Sequence, residues 1–368
     1  MKGKGQANPR LRVAGLMSGT SLDGVDAAIL DTDGVHVLGF GQTAFRPYSA
    51  QERAVLRGCL GKWPDDAGLA EAQEVIHRAH IEALQALNAP FDLIGFHGQT
   101  LAHDPDQGRT HQLGDGAVLA RAFDCPVIWD FRSNDMRMGG QGAPLAPFYH
   151  FALAKQRGAT APLAFLNLGG VGNITYVDPS HDRPEQEGAL LAFDTGPANA
   201  PMDDLMSGTG QVYDNDGGLA ASGRVNEAFV ARVMAQGYFL KMPPKSLDRD
   251  TFAQVLTEAQ TMPLADGLAS LAEVSARAVA EGLAHLPKPV AQILVCGGGR
   301  KNGHLMARLA ALTGLEVVAV EVAGFDGDFL EAQAFAYLAA RVQAGLPTSA
   351  PATTGVAAAI GGGQISRP

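Results

Sequence analysis

One pattern occurs twice in this chain, about 150 residues apart, and it limits the folds available more than any other feature. In the first half, the apolar run 11–17 leads into a polar turn at 18–24 and a second apolar run at 25–30. An acidic turn at 31–34 and a third strand-like run at 35–45 follow. In the second half, the run 163–168 meets a glycine turn at 169–172, a returning strand at 174–177, a polar turn at 178–187 and a third strand at 189–193. Helical spacing at 51–60, 69–87 and 116–123 separates short strands at 91–96 and 126–129. The last third alternates helix 264–286, strand 291–296, a glycine triplet, helix 304–313, strand 316–322 and helix 329–344. Strands alternating with helices in two similar halves predict an α/β protein built by internal duplication. A length of 368 residues accommodates two domains.

Composition narrows the function. Lys and Arg total 28 against 38 Asp and Glu, a net charge of −10, which argues against a nucleic-acid partner because such proteins carry a basic patch. Glycine makes up 45 of 368 residues, about 12% where ~7% is usual, and it clusters beside apolar runs as in ligand loops. Cys59, Cys125 and Cys296 are too few and too far apart for a disulfide framework or a zinc site. The apolar stretch 13–17 is too short for a signal-peptide core, and the uncharged stretches 158–177 and 342–366 are broken by Gly, Pro, Asn or Thr. A cytoplasmic protein without a membrane partner is expected.

Four constellations carry chemistry. The first, GLMSGTSLDGVD at 15–26, sets backbone N–H groups and hydroxyls on a tight turn, a cradle for phosphate. Within it, Gly19, Thr20, Ser21, Leu22, Asp23, Gly24, Val25 and Asp26 are the candidate contacts. Asp23 and Asp26 would repel phosphate unless Mg²⁺ stands between them or they point away; an ordinary hairpin is the alternative. The second, LNLGGVGNIT at 166–175, is the matching hairpin of the second half. Two such hairpins resemble the phosphate loops of the actin/hexokinase/Hsp70 superfamily. The third places Asp194 after a buried strand, where a carboxylate serves as general base; capping of the next helix is the alternative. The fourth, Gly297, Gly298 and Gly299, follows a strand and suits a nucleotide. Gly297, Gly299 and Gly303 also approach a dinucleotide fingerprint, with Glu316 or Glu321 as its ribose acid. Between 95 and 145, polar residues including His97, Gln99, Thr100, Asp130 and Arg132 are dense enough to hold a sugar.

These blocks, read in order, resemble the anhydro-N-acetylmuramic acid kinase family almost end to end. The resemblance rests on GLMSGTSLDGVD (15–26), GFHGQT (95–100), QLGDG (112–116), DFRSND (130–135), GGQGAPL (139–145), NLGGVGNIT (167–175), FDTGP (193–197), PPKS (243–246), CGGGRKN (296–302) and DFLEAQAFAYLA (328–339). Ala198, Ala200–Pro201 and Thr348–Ser349 depart from it. The resemblance implies two RNase H-like lobes around a central cleft that closes on substrate. It implies an ATP- and Mg²⁺-dependent kinase that opens 1,6-anhydro-N-acetylmuramic acid with water and phosphorylates O6, in recycling of cell-wall fragments. Asp194 would be the base. Residues 19–26, Gly297–Gly299 and Glu331 would contact ATP, and His97, Gln99, Thr100, Asp130, Arg132 and Asn173 the sugar. The metal ligands stay unassigned. A homodimer is implied. A kinase for an anhydrosugar without the lactyl acid is the alternative, against which Arg132 and Arg137 favour an acidic substrate. The first lobe is expected to span 1–137 with 345–368, the second 138–344, the last helix packing back on the first lobe.

Overall fold

The computed structural model describes residues 8–247 and 252–368. Residues 1–7 of the N-terminal extension lie outside the described residues. Strands β1 (Leu11–Ser18), β2 (Gly24–Thr32), β3 (Val37–Pro47), β4 (Leu93–Asp104), β5 (Arg109–Leu113) and β6 (Val127–Trp129) belong to one sheet. Strands β7 (Leu163–Leu168), β8 (Val171–Val177), β9 (Leu190–Pro197), β10 (Gln292–Cys296) and β11 (Glu316–Ala319) form another, and β12 (Gln364–Ser366) returns to the edge of the first beside β6.

The neighbour orders β3-β2-β1-β4-β6 and β9-β8-β7-β10-β11 are the same topology. In each, the first three strands form an antiparallel meander. The next two join in parallel through helical crossovers. The duplication expected from the repeated pattern is therefore real, and both halves carry the RNase H-like mixed sheet. The chain divides into two compact units, the residues up to Gly158 with Phe329–Pro368, and Ala159–Asp328. The sequence expectation put these divisions at 137 and 344. Both the Pro147–Gln156 helix and the Leu330–Gln343 helix pack within the first unit, the latter against β1, β2 and β4.

Period-two alternation explains the first unit's layers. Ala14 and Leu16 of β1 and Ile94 and Phe96 of β4 join a core with Val75, Ile76, Ala79 and Ala83 of the Ala70–Ala86 helix. Gly15 and Gly95, paired in register on the opposite face, lie directly under the Leu330–Gln343 helix. A Cβ on Gly15 would overlap the backbone of Ala332, and one on Gly95 that of Phe335. Two glycines thus let helix backbone approach sheet backbone. In the second unit, Leu166, Ile174, Phe193 and Val295 form a core with Leu268, Leu271, Ala272 and Val279 of the Leu264–Gly282 helix.

Several elements were not visible as periodicity. The Pro147–Gln156 helix has Pro147 to Ala154 all buried, so no polar face marks it. Strand β4 continues to Asp104 because β5 pairs with its distal half. Residues 320–322, expected as strand, form part of the short 3₁₀ turn Val320–Ala323. Among the described residues no helix is long and apolar enough to cross a membrane.

Candidate active site

In the first unit, the β1–β2 turn is closed by the Leu22 N–H donating to the Gly19 carbonyl at 3.1 Å. Leu22 adopts φ 59°, a conformation costly for a branched side chain, and its side chain is buried in the core. That anchor leaves Thr20, Ser21 and Asp23 exposed at the tip. Below it, the Ser18 hydroxyl donates to Gln99 Oε1 at 2.6 Å and meets Tyr48 Oη at 2.9 Å, while Gln99 Nε2 donates to the Gly19 carbonyl at 3.2 Å. Burial pushes the Tyr48 phenol up to about 12. Gln99, expected as a sugar contact, has both ends of its amide engaged in bracing the hairpin. Thr100 Oγ1 accepts from Gln112 Nε2 at 3.2 Å.

His97 is buried with its ring against Phe335, centroids 4.5 Å apart. Its Nδ1–H donates to the Gly98 carbonyl at 2.8 Å, which leaves Nε2 to accept from Arg132 Nε at 3.1 Å. Burial, then the Arg132 charge, hold the imidazole well below its usual pKa, so it stays neutral. Arg132 Nη1 donates to the Gly142 carbonyl at 2.8 Å; burial lowers its pKa to about 10, and Glu331 opposes that shift. Burial raises the Glu331 carboxyl while Arg132 lowers it, although the residue keeps solvent access. The structure therefore groups His97, Arg132 and Glu331. Asp130 is committed elsewhere: its φ is 54°, one carboxylate oxygen accepts from the Ser133 hydroxyl and the other from Gln364 Nε2 at 2.8 Å. It ties the C-terminal strand β12 beside β6. A recess of about 160 Å³ is lined by His97, Gln112, Trp129 and Asp130 among others.

In the second unit, Asp194 lies inside β9, not beyond its end, at a β-bulge where the register with β8 shifts between Gly172 and Asn173. Bulges re-aim side chains beside functional sites. Asn173 Nδ2 donates to Asp194 Oδ1 at 2.8 Å, and the Leu247 N–H donates to Oδ2 at 2.7 Å. The helix-capping alternative fails, because the N-cap of the following Ala200–Ser207 helix is Asn199. Burial raises the Asp194 carboxyl, and the Asn173 and Leu247 hydrogen bonds restrain the rise. The result is a carboxylate oriented by two neutral donors, with unshared lone pairs left to accept a proton.

Gly297 has φ 74°, and a Cβ there would press on Leu168 backbone. Arg300 fixes this turn: Nη1 donates to the Gly297 carbonyl at 3.0 Å, Nε to Glu321 at 2.8 Å and Nη2 to Asp328 at 2.8 Å. Glu321 is thereby occupied, and Glu316 accepts from Gln292 at 2.7 Å. The next helix is capped by Asn302, after the 3₁₀ turn Gly298–Lys301. The dinucleotide alternative therefore lacks its helix start at the glycines. Sequence reasoning missed Ser18, Tyr48, Leu247 and Arg300, whose roles depend on contacts across the fold; the PPKS block was the one signal near Leu247.

The sequence profile of the family described as Anhydro-N-acetylmuramic acid kinase matches residues 11–367. A protein of that name from Cereibacter sphaeroides is 60% identical over 355 residues, spanning 96% of this chain and 95% of its own. One from Roseobacter denitrificans is 57% identical, spanning 96% and 94%.

Proposed function

The chain belongs to the anhydro-N-acetylmuramic acid kinase family, and from that premise we propose how its residues divide the work. The enzyme is an ATP-dependent kinase that opens 1,6-anhydro-N-acetylmuramic acid hydrolytically and phosphorylates O6, giving N-acetylmuramic acid 6-phosphate and ADP in cell-wall recycling. Asp194 takes a proton from water as the water oxygen bonds to the anomeric carbon. The C1–O6 bond breaks, and O6 takes the γ-phosphoryl group as the bond to the β-phosphate oxygen of ADP breaks. Coupling the two avoids a free alkoxide. The single observation that supports Asp194 most is its bulged, half-buried carboxylate with only neutral hydrogen-bond partners.

Thr20, Ser21 and the N–H groups of residues 19–26 suit the β- and γ-phosphates, and Gly297–Gly299 the adenosine. Leu22 contributes by anchoring the turn. Asp23, exposed at the tip of the turn, would hold Mg²⁺ through its hydration shell, and the ion would supply neutralisation of phosphate charge. Arg132, held by neutral His97, suits the lactyl carboxylate, and Glu331 a polar contact near the ATP phosphates. Gln99, Thr100, Asp130 and Asn173 then act by shaping the site. The enzyme works in the cytoplasm as a homodimer.

Incubation with Mg·ATP and 1,6-anhydro-N-acetylmuramic acid in ¹⁸O-water, read by mass spectrometry, tests the chemistry. Label at C1 with phosphate on O6 is expected. Turnover without label at C1 would overturn water attack, and failure to bind ATP would overturn the nucleotide assignment.

A further inference from the structure

Asp194 is gripped along its backbone as well as at its carboxylate. Its N–H donates to the Lys245 carbonyl at 2.9 Å, and its own carbonyl accepts from Tyr238 Oη at 2.5 Å. With the Leu247 N–H on Oδ2 at 2.7 Å, three contacts come from residues 238–247, a stretch with neither helix nor strand. Such a stretch has no ladder of its own to hold it in place, so the side chains within it must do so.

Lys245 is the residue built for this. It is 7% exposed, unusual for lysine. Its ammonium lies 4.7 Å from the Tyr238 ring centroid and 5.8 Å from that of Phe193, and donates to the Tyr238 carbonyl at 3.4 Å. The charged and titratable groups around it are Glu281 from the Leu264–Gly282 helix, Lys241 from its own segment, and His285, whose ring meets Phe193 edge-on at 6.0 Å. Toward Asp194 itself the facing titratable group is Tyr238. Among the described residues Lys245 makes no ion pair. Two aromatic faces and one carbonyl therefore hold the ammonium in place of a carboxylate. Phe193 immediately precedes Asp194, so the same cage touches both sides of the base.

We propose that Lys245 is a positioning residue: its caged ammonium pins residues 243–247 so that the Leu247 amide stays on Asp194 Oδ2. This rests on the reading of Asp194 as general base. A hydrogen bond to the ionised form favours ionisation, so losing the Leu247 amide raises the pH at which the base becomes competent.

The test is Lys245→Met in the full-length enzyme, with kcat and KM measured across pH using Mg·ATP and 1,6-anhydro-N-acetylmuramic acid. The expected result is a kcat lowered about 10–100-fold, KM for ATP within about twofold, and the acid limb moved up by about one pH unit. Lys245→Arg should restore most of kcat and return the limb. An unmoved limb in Lys245→Met, whatever happens to kcat, would overturn the proposal and leave Lys245 a packing residue. Should the Met variant not fold, Lys245→Gln keeps a donor for the Tyr238 carbonyl and removes only the charge. The same limb is then read: a rise supports the positioning role and an unmoved limb overturns it. Asp194→Asn is assayed alongside. Retained turnover there removes the base reading itself, whereas an inactive Asn variant with an unmoved Lys245→Met limb removes only the positioning role.

Discussion

A carboxylate serves as a base only where its surroundings keep it ionised yet unpaired with a cation. At Asp194 two neutral donors favour the ionised form against the opposing effect of burial, and no cation is among its hydrogen-bond partners in the described residues. Asp194→Asn should lower kcat about 10²–10⁴-fold while nucleotide binding stays near wild type, checked by steady-state kinetics and calorimetric titration. The sign of the pH dependence follows from the raised carboxyl. On the proposed reading of Asp194 as base, activity needs the ionised form and should fall as pH drops through a value above the ordinary 3.8. Stability runs the other way: the group favours folding when protonated, below 3.8, and that contribution is lost as pH rises through the raised value. At pH 7 the Asn variant should therefore melt within a few degrees of wild type or above it. Glu52 gives the opposite case. Its hydrogen bond with Arg46 pulls it from 4.5 to about 2, so its contribution is present above 4.5 and lost as pH falls toward 2. Glu52→Gln should lower Tm at pH 7, and the gap from wild type should close in acid, a difference that thermal melts at several pH values would reveal.

Elements act here through close backbone approach. The helix that carries Glu331 in its first turn rests on Gly15 and Gly95. A methyl group at Gly95 meets the Phe335 carbonyl, which a helix backbone cannot yield without shifting. Gly95→Ala should cost about 1–3 kcal/mol in denaturant unfolding, the usual span for overpacking, and lower kcat by displacing Glu331. An active, fully stable variant would show that the helix is free to slide. Gly297 is constrained differently, by a left-handed φ and by the Leu168 backbone. Gly297→Ala should remove most of the rise in Tm that Mg·AMP-PNP gives the wild type, since ligand stabilisation scales with affinity.

At the scale of the whole molecule, two units of one topology carry different parts. The first presents the hydroxyl-rich hairpin and the His97, Arg132 and Glu331 group, and the second presents Asp194 and the Gly297 turn. The shared meander explains why each unit has a hairpin at the same place, because the turn between first and second strands recurs with the topology. In solution, light scattering should give about twice the 38.3 kDa chain mass for the proposed homodimer; a monomeric mass in active enzyme would refute it.

The repeated strand–turn–strand pattern determined the α/β class, the duplication and both glycine-rich loops, because period-two apolar runs and glycine turns are local properties of a chain. The position of the 18–24 turn between two strands was legible for the same reason. The tertiary structure alone decided what neighbours these residues have. Gln99, expected as a ligand contact, braces a hairpin 80 residues away in sequence, and Asp130 also ties down the C-terminal strand. Lys245, Leu247 and Arg300 gained their roles from partners distant in sequence or outside regular structure. Helices buried on every side, such as Pro147–Gln156, left no periodic trace. A chain records its local preferences residue by residue, but the hydrogen-bond partner of a buried polar group is chosen only when distant segments meet.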